Sequence, residues 1–294
     1  WLAECSCVAQ APKTQHRCLG RAGSVFVGQD GHVLIGDLSY AGLPGKVYTP
    51  AEGNGVAAIA FGHDWMTSVK SYHQTLQHLA SWGIVVAVPA TEMGFMPNHQ
   101  GLAADLESCL QIVAGVKLGT GNVTVSPAKL GVAGHGMGAG AAILTAAGRD
   151  NIPAVGALYP AATAPSAVTA AAHTTAPGLI IGPGKATDFD SNESVKIAAQ
   201  WAGPVTYREV SKGTQSGFSE GAVVKALVGM GRPQFSAQEK ARGLLTGFLL
   251  YQLEGEKKYA AFAQEDVHAR GLSSLTKAEL QAKEQDKTFT SLPF

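Results

Sequence analysis

Residues 130–140 read LGVAGHGMGAG, an apolar run that passes through closely spaced glycines into a stretch of small residues. The apolar start predicts a strand at 130–133, and the small residues after Gly136 predict a helix at 137–147. Glycine suits a turn where a strand and a helix approach closely, because it has no side chain and tolerates strained backbone angles. The stretch therefore predicts a strand-turn-helix elbow with Gly136 at its turn.

Strands and helices alternate on both sides of this elbow. Residues 84–88 are Val, Ile and Ala only, as is typical of a parallel strand covered on both faces. Strands that alternate with helices favour a parallel sheet. We predict an α/β fold with a mostly parallel, doubly wound sheet flanked by helices. The predicted strands are 24–27, 33–38, 46–48, 57–61, 84–88, 130–133, 154–158, 179–181 and 205–210, and the predicted helices are 71–82, 102–116, 137–147 and 236–253.

The pattern also divides the chain into three parts. The alternation fills residues 22–264 and predicts one α/β domain there. Residues 1–21 carry no clear pattern and are interpreted as an N-terminal extension. Residues 265–294 are polar, with one candidate helix at 276–285, and are interpreted as a C-terminal surface extension.

Charge and hydropathy narrow the class of partner. The chain has 22 Lys and Arg against 22 Asp and Glu, so no broad positive field would attract nucleic acid, and we predict no nucleic-acid partner.

With 46% hydrophobic and 15% charged residues, the composition is that of a soluble globular protein. The sequence contains no run of about 18 uninterrupted apolar residues, so no transmembrane segment is predicted. Because the chain begins at Trp1, the compartment stays open between cytoplasm and export after processing.

The four cysteines fall into two groups. Cys5, Cys7 and Cys18 lie near the N-terminus and fit a metal cluster, a disulfide pair with one thiol left over, or a loose tail. No CxxC and histidine pattern accompanies them, so the loose tail is preferred. Cys109 lies in a predicted helix and is interpreted as a packing residue. No metal and no cofactor are predicted.

The elbow and its surroundings resemble the α/β-hydrolases of the dienelactone hydrolase, polyester hydrolase (cutinase-like) and chlorophyllase group. The likeness runs from about residue 46 to about residue 262. Relatives commonly read GHSMG or GHSRG at the elbow, against GHGMG at 134–138. The stretch SYHQTLQHLASWG at 71–83, followed by IVVAVP, resembles their first helix and next strand. The resemblance implies an α/β-hydrolase fold, in which the central serine of G-x-S-x-G is the nucleophile.

The resemblance also implies that the catalytic positions have lost their chemistry. Gly136 stands in the nucleophile's position and has no side chain with which to attack a carbonyl. Gln215, in GTQSGF at 213–218, stands where the family's histidine base follows the last strand, and its amide does not titrate near neutral pH. The acid would follow LIIG at 179–182, and Asp188 is a displaced candidate for it.

The oxyanion hole depends on main-chain N–H groups and is better retained. The resemblance implies that the N–H groups of Met137 and Trp65 form it, because HDW at 63–65 resembles the family's H-G-F loop. His63, Asp64 and His135 are predicted to line the former pocket. None of them has recognisable metal-ligand spacing. Two interpretations are open for a further group of apolar side chains, which could line an apolar ligand groove or take part in ordinary packing, and ordinary packing is preferred for each one taken singly. The group consists of Met66, Met93, Met96 and Met137, with Trp65 and Phe95.

Three classes of function remain open. The preferred one is a non-catalytic protein that binds an apolar or ester-like small ligand, or a protein partner, through the former ester-binding cleft. The second is an ester hydrolase of dienelactone hydrolase, lipase or esterase type whose nucleophile is inactivated or unrecognised. The third is a structural subunit of a larger complex. An engineered inactivation needs one change, so departures at both Gly136 and Gln215 favour natural loss of catalysis.

Overall fold

The computed structural model describes residues 17–20, 24–27, 32–184, 193–220, 234–267 and 269–290. Short 3-10 turns occupy Leu38–Ala41, Val69–Tyr72 and Lys257–Ala263. The strands are β1 (Arg17–Gly20), β2 (Ser24–Val27), β3 (Leu34–Asp37), β4 (Gly45–Thr49), β5 (Gly53–Gly62), β6 (Val85–Pro89), β7 (Val123–His135), β8 (Val155–Leu158), β9 (Gly178–Pro183), β10 (Val205–Val210) and β11 (Leu272–Leu275). The helices are α1 (His73–Ser81), α2 (His99–Gly115), α3 (Met137–Ala146), α4 (Ala167–Ala171), α5 (Ser194–Gln200), α6 (Gln215–Phe218), α7 (Phe235–Glu254) and α8 (Lys277–Thr290).

Nine of these strands form one sheet, in the order β11-β10-β9-β8-β7-β5-β6-β4-β3. The strands from β10 to β6 pair in parallel, and β11, β4 and β3 add antiparallel pairs at the two edges. The predicted α/β class with a mostly parallel sheet is confirmed. Strands β1 and β2 form a separate antiparallel pair that crosses the boundary predicted between residues 21 and 22.

Helices cover both faces of the sheet, so the core has two layers. On β5, Ala58 and Ala60 join the core with α2, α3 and α5, while Ile59 and Phe61 join the core with α1 and α7. Alternate residues of a strand point to opposite faces, which accounts for this division. Both faces of the central strands are therefore buried, as expected for a parallel sheet between helices.

The strand order reverses at β5, which places its loops where α/β proteins commonly bind ligands. β6 lies on one side of β5 and β7 on the other, so the chain leaves the carboxyl ends of β5 and β7 in different directions. Gly62 ends β5 and pairs with Gly134 of β7. A Cβ atom on Gly62 would lie 2.7 Å from Gly138 Cα, so glycine here lets the start of α3 approach β5. The elbow therefore lies at the switch point of the sheet.

The C-terminal segment is more closely joined to the sheet than its polar sequence suggests. β11 pairs antiparallel with β10, with Tyr207 opposite Leu275, and Leu280 of α8 is fully buried. The apolar periodicity of this segment is weak, because β11 is an edge strand and α8 has one fully buried leucine. Residues 272–290, predicted as part of a surface extension, thus complete one edge of the sheet.

Several element bounds differ from those predicted. β7 begins at Val123, well before the predicted start at 130, and β5 begins at Gly53. Their first halves contain glycine, serine, lysine and proline, which hide a strand pattern. Within the described parts of the chain, no helix combines the length and apolar character needed to cross a membrane.

Candidate functional site

Gly136 forms the turn of the elbow between β7 and α3. Its φ of 55° and ψ of −118° lie in a region that costs a residue with a side chain about 1–3 kcal/mol. The Gly136 N–H donates to Leu158 O at 3.0 Å, and its carbonyl accepts from Ala161 N at 3.0 Å. These bonds fix the turn against the end of β8. The strained geometry is therefore held by the sheet around it.

The Asp64 carboxylate fills the space beside Gly136. A Cβ atom at position 136 would lie 2.7 Å from Asp64 Oδ2 and still closer to Oδ1 and Cγ. Asp64 comes from the loop after β5 and is 7% exposed. The carboxylate of one loop thus occupies the position that an elbow side chain would need.

Two main-chain N–H groups converge on this carboxylate. Asp64 Oδ1 accepts from Met137 N at 3.0 Å and from Trp65 N at 2.8 Å. These are the two groups that the sequence analysis assigned to an oxyanion hole. Met137 is also the first residue of α3, and the N-terminus of a helix stabilises negative charge. The structure brings both donors together around an anion supplied by the chain itself.

Gln215 faces the same carboxylate from the loop region after β10. Its Nε2 lies 3.3 Å from Asp64 Oδ2 and 3.4 Å from Oδ1, so both hydrogen bonds are long. Gln215 begins α6, which Thr214 caps by accepting from Gly217 N at 3.2 Å. The position predicted for the base therefore holds an amide that donates to the carboxylate.

His135 lies beneath the elbow and is fully buried. Its Nε2 is 2.9 Å from Gln215 O, and a carbonyl oxygen only accepts, so Nε2 carries a proton. Its Nδ1 is 2.8 Å from Tyr72 Oη, which itself accepts from Asp64 N at 3.0 Å. Burial, followed by the charge of Asp64, raises the pKa of Tyr72 well above its usual range, so Tyr72 keeps its proton and donates it to Nδ1. Both nitrogens of His135 are thus engaged in the framework of the site.

The distance from His135 to Asp64 excludes a direct hydrogen bond. His135 Nδ1 and Asp64 Oδ2 are 3.8 Å apart, beyond hydrogen-bonding range. His135 therefore positions the elbow through Tyr72 and the Gln215 main chain.

His63 ties together the loops after β5 and β6. Its buried ring has Nδ1 2.9 Å from Asp64 O and Nε2 2.7 Å from Thr91 O. Both partners are carbonyl oxygens, so a proton on either ring nitrogen is donated to the main chain. The side chain predicted to line the pocket is thus directed at the main chain.

Two neighbouring loops expose a group of large apolar side chains that we call the apolar rim. Trp65 Nε1 donates to Phe95 O at 3.0 Å, and the two rings lie 5.5 Å apart. Phe95 is 73% exposed, and Trp65 follows Asp64 directly in the chain. Exposed apolar groups that lie together mark interaction sites. The apolar rim consists of Trp65, Met66, Met93, Phe95 and Met96.

The remaining predicted residues lie apart from this site. Met137 contributes its N–H, while its side chain belongs to the core. Asp188, Cys5 and Cys7 lie outside the described residues, and the side chain of Cys18 does as well. Over the ranges that the structure describes, no three His, Cys, Asp or Glu side chains are grouped so that they could hold a metal ion.

The sequence motifs predict no role for Asp64 beyond lining the pocket. A signal for that role was present, because the loop HDW departs from H-G-F at its glycine, and the elbow departs from GHSMG at its serine. Compared with those motifs, position 64 has a side chain in place of glycine, and position 136 has glycine in place of serine. Only the structure shows that the two departures meet in space.

No protein-family model matches the chain, and no curated protein is similar enough to count as a match. The functional assignment therefore rests on the geometry around Asp64 and Gly136.

Proposed function

We propose that this chain is an α/β-hydrolase-fold protein without hydrolase chemistry, and that it binds an apolar small ligand at the elbow and the apolar rim. The observation that carries the proposal is the Asp64 carboxylate, which fills the elbow and accepts from both Met137 N and Trp65 N. The proposed family rests on the strand-turn-helix elbow at Gly136 and on the sequence motifs around it.

Each requirement of serine-type ester hydrolysis is opposed by a residue of the site. Gly136 supplies no nucleophile, and Gln215 supplies no base. A tetrahedral oxyanion would also meet the Asp64 carboxylate in place of free N–H donors. Two unit charges about 4 Å apart repel by about 4 kcal/mol at an effective dielectric constant of about 20. The site would therefore destabilise the transition state that an esterase stabilises.

Ligand binding at this place is favoured by topology and by the exposed surface. Open α/β sheets bind ligands beyond the carboxyl ends of their strands, at the point where the strand order reverses. Asp64 and Gly136 follow β5 and β7 at that point. The apolar rim adjoins them and offers the nonpolar contacts that small-molecule sites require.

The absence of catalysis is tested with the full chain, a serine-directed fluorophosphonate and a short-chain p-nitrophenyl ester. We expect neither covalent labelling nor a burst, because no side chain at position 136 can form an acyl intermediate. Saturable ester turnover at about 1–10³ per second by the unmodified chain would overturn the proposal.

Substitutions test whether Asp64 blocks the chemistry. From the sequence alone, Gly136→Ser combined with Gln215→His is predicted to exceed the two single variants. In the structure the Asp64 carboxylate occupies the space that the serine of this pair would need. We expect Asp64→Gly in addition to raise labelling and ester hydrolysis at least about tenfold over the pair, because it frees both N–H donors. Equal activity of the pair and the triple variant would show that Asp64 does not block the site.

Binding itself is tested separately. Native mass spectrometry of the purified chain would detect a retained ligand, and a thermal shift with 1-hexanol would report binding of a neutral apolar probe. A chain that carries no ligand and shows no shift with hexanol would contradict binding of a neutral apolar ligand at this site.

A further inference from the structure

Two hydrogen-bond acceptors at the elbow lack adequate donors among the described residues. Asp64 Oδ2 receives one long hydrogen bond, at 3.3 Å from Gln215 Nε2. Gln215 Oε1 is buried, and none of the described residues donates to it. It belongs to the same planar amide as Nε2, so both acceptors lie in one small region. A buried polar group without a partner is costly, and these two would both be satisfied by a donor.

The charge of the site points to the kind of donor. Asp64 is a buried acid, and in the described parts of the chain neither a lysine nor an arginine forms an ion pair with it. The N–H groups of Met137 and Trp65 both donate to Oδ1, so Oδ2 receives only the long hydrogen bond from Gln215. His135 Nδ1 accepts from Tyr72 and lies too far from Oδ2 to donate. Buried carboxylates are stabilised by cations that also donate hydrogen bonds.

The apolar rim next to the carboxylate suits the rest of such a ligand. Trp65 and Phe95 present aromatic rings, whose faces attract ammonium groups within about 6 Å. Met93 and Met96 add flexible apolar surface beside Phe95. Aromatic and thioether groups also pack well against an alkyl chain.

We infer that the elbow site binds a primary alkylammonium ligand, whose N–H groups donate to Asp64 Oδ2 and Gln215 Oε1 while its alkyl chain lies on the apolar rim. This inference rests on the proposed binding function and specifies its ligand class. An alkyl carboxylate is repelled by Asp64, and an ester offers no donor. A quaternary ammonium has the charge but no N–H group. Among these four classes, only the primary ammonium has both the charge and N–H groups for the two acceptors.

Four probes that share a six-carbon chain separate these features. Isothermal titration calorimetry with the full chain compares hexylammonium, hexyltrimethylammonium, 1-hexanol and hexanoate near neutral pH. We expect hexylammonium to bind at least about tenfold more tightly than each of the others, because it alone combines the charge with three N–H donors. Hexanoate should bind most weakly.

Matched variants assign the preference to Asp64. Asp64→Asn keeps the shape and an oxygen for the two main-chain N–H groups but removes the charge. We expect it to weaken hexylammonium binding at least about tenfold and 1-hexanol binding much less, because the hexanol hydroxyl can donate a hydrogen bond but carries no charge. Asp105→Asn is the control, because the Asp105 carboxylate accepts from Thr91 Oγ1 at 2.6 Å in the neighbouring loop region and does not reach the elbow. If Asp64→Asn does not fold, Gln215→Met removes the second acceptor and should reduce the preference for hexylammonium over hexyltrimethylammonium.

The outcomes separate this inference from the proposed function. Equal affinity for hexylammonium and 1-hexanol would overturn the ammonium inference and leave apolar binding intact. The ammonium inference would also be overturned if Asp64→Asn bound hexylammonium with the same affinity as the unmodified chain has. A water molecule would then be the donor at Oδ2. Binding of none of the four probes would reject both the ligand class and the small-ligand function.

Discussion

The Asp64 carboxylate lies where a side chain on Gly136 would project, with Oδ2 2.7 Å from the position of a Cβ atom at 136. The two residues are 72 positions apart in the chain, and β5 and β7 bring them together at the carboxyl edge of the sheet. Their side chains are mutually exclusive.

The steric exclusion predicts energetic coupling between positions 64 and 136. Gly136→Ala should lower the free energy of unfolding through backbone strain, about 1–3 kcal/mol, and through overpacking against Asp64, about 1–3 kcal/mol more. In an Asp64→Gly background the second contribution should disappear. Chemical denaturation of the four chains of this double-mutant cycle measures the coupling.

Gly148 provides the matched control for backbone strain. Its φ is 69°, and a Cβ atom there would meet nothing within 4 Å. Gly148→Ala should therefore cost the same in both backgrounds. A coupling energy near zero between positions 64 and 136 would mean that the Asp64 side chain moves aside at no cost.

The Tyr72 hydroxyl should contribute strongly to stability, because it bonds both Asp64 N and His135 Nδ1 in a buried site. Tyr72→Phe should lower the free energy of unfolding by about 1–3 kcal/mol for each of these groups. Tyr40→Phe removes a hydroxyl from a side chain that is 97% exposed, and it should change the free energy of unfolding by less than about 0.5 kcal/mol. Urea denaturation of both variants makes the comparison, and equal effects would remove Tyr72 from the framework of the site.

The tautomer of His135 is predicted by its partners. Nε2 faces the Gln215 carbonyl and Nδ1 faces the Tyr72 hydroxyl, so the proton should reside on Nε2 in a neutral ring. Long-range proton–nitrogen NMR of the labelled chain distinguishes the two ring nitrogens. In Tyr72→Phe the Nδ1 resonance should shift while Nε2 stays protonated. A proton found on Nδ1 in the unmodified chain would contradict this arrangement.

Cys109 should be almost unreactive in the folded chain. Burial, followed by the charge of Asp105, raises the pKa of its thiol from 9.0 to about 12, and the thiolate is the form that reacts. Peptide mapping after N-ethylmaleimide treatment at pH 8 should show Cys109 modified only after denaturation. Rapid labelling of the native chain would show that helix α2 opens readily.

The same pKa shift has a defined effect on stability. The unfolded thiol loses its proton above about pH 9, whereas the folded thiol keeps its proton up to about pH 12. The contribution of Cys109 to the free energy of unfolding is therefore complete below pH 9 and falls as the pH rises through this interval. The stability difference between the unmodified chain and Cys109→Ala should shift in favour of Cys109→Ala between pH 9 and pH 11.

The central fold was accessible from the sequence, because its signals are local. The apolar runs of β6, β8 and β9 stand out, and the glycines around Gly136 indicate a close strand-helix turn. The first half of β7 and the edge strand β11 were not predicted, since their pairing depends on neighbours distant in the chain. The α/β-hydrolase assignment itself stays a prediction.

The site was only partly accessible for a related reason. The positions of Gln215 and of the Met137 and Trp65 N–H groups follow from motifs that each lie on one stretch of chain. The role of Asp64 depends on contact across two loops, and no local pattern encodes such a contact. The same holds for the Tyr72 hydroxyl, which links Asp64 and His135 from the turn before α1.

The exclusion between positions 64 and 136 also constrains how this chain can be changed by laboratory evolution. A library that varies only position 136 contains, apart from glycine, members in which the new side chain collides with Asp64. Such a screen would report that every substitution at position 136 destabilises the chain, although part of the cause lies in another loop. Stepwise routes are therefore easier when the Asp64 carboxylate is removed before a side chain is added at 136, because the reverse order passes through a crowded intermediate. Libraries that randomise both positions together would reach variants that single-site scans cannot.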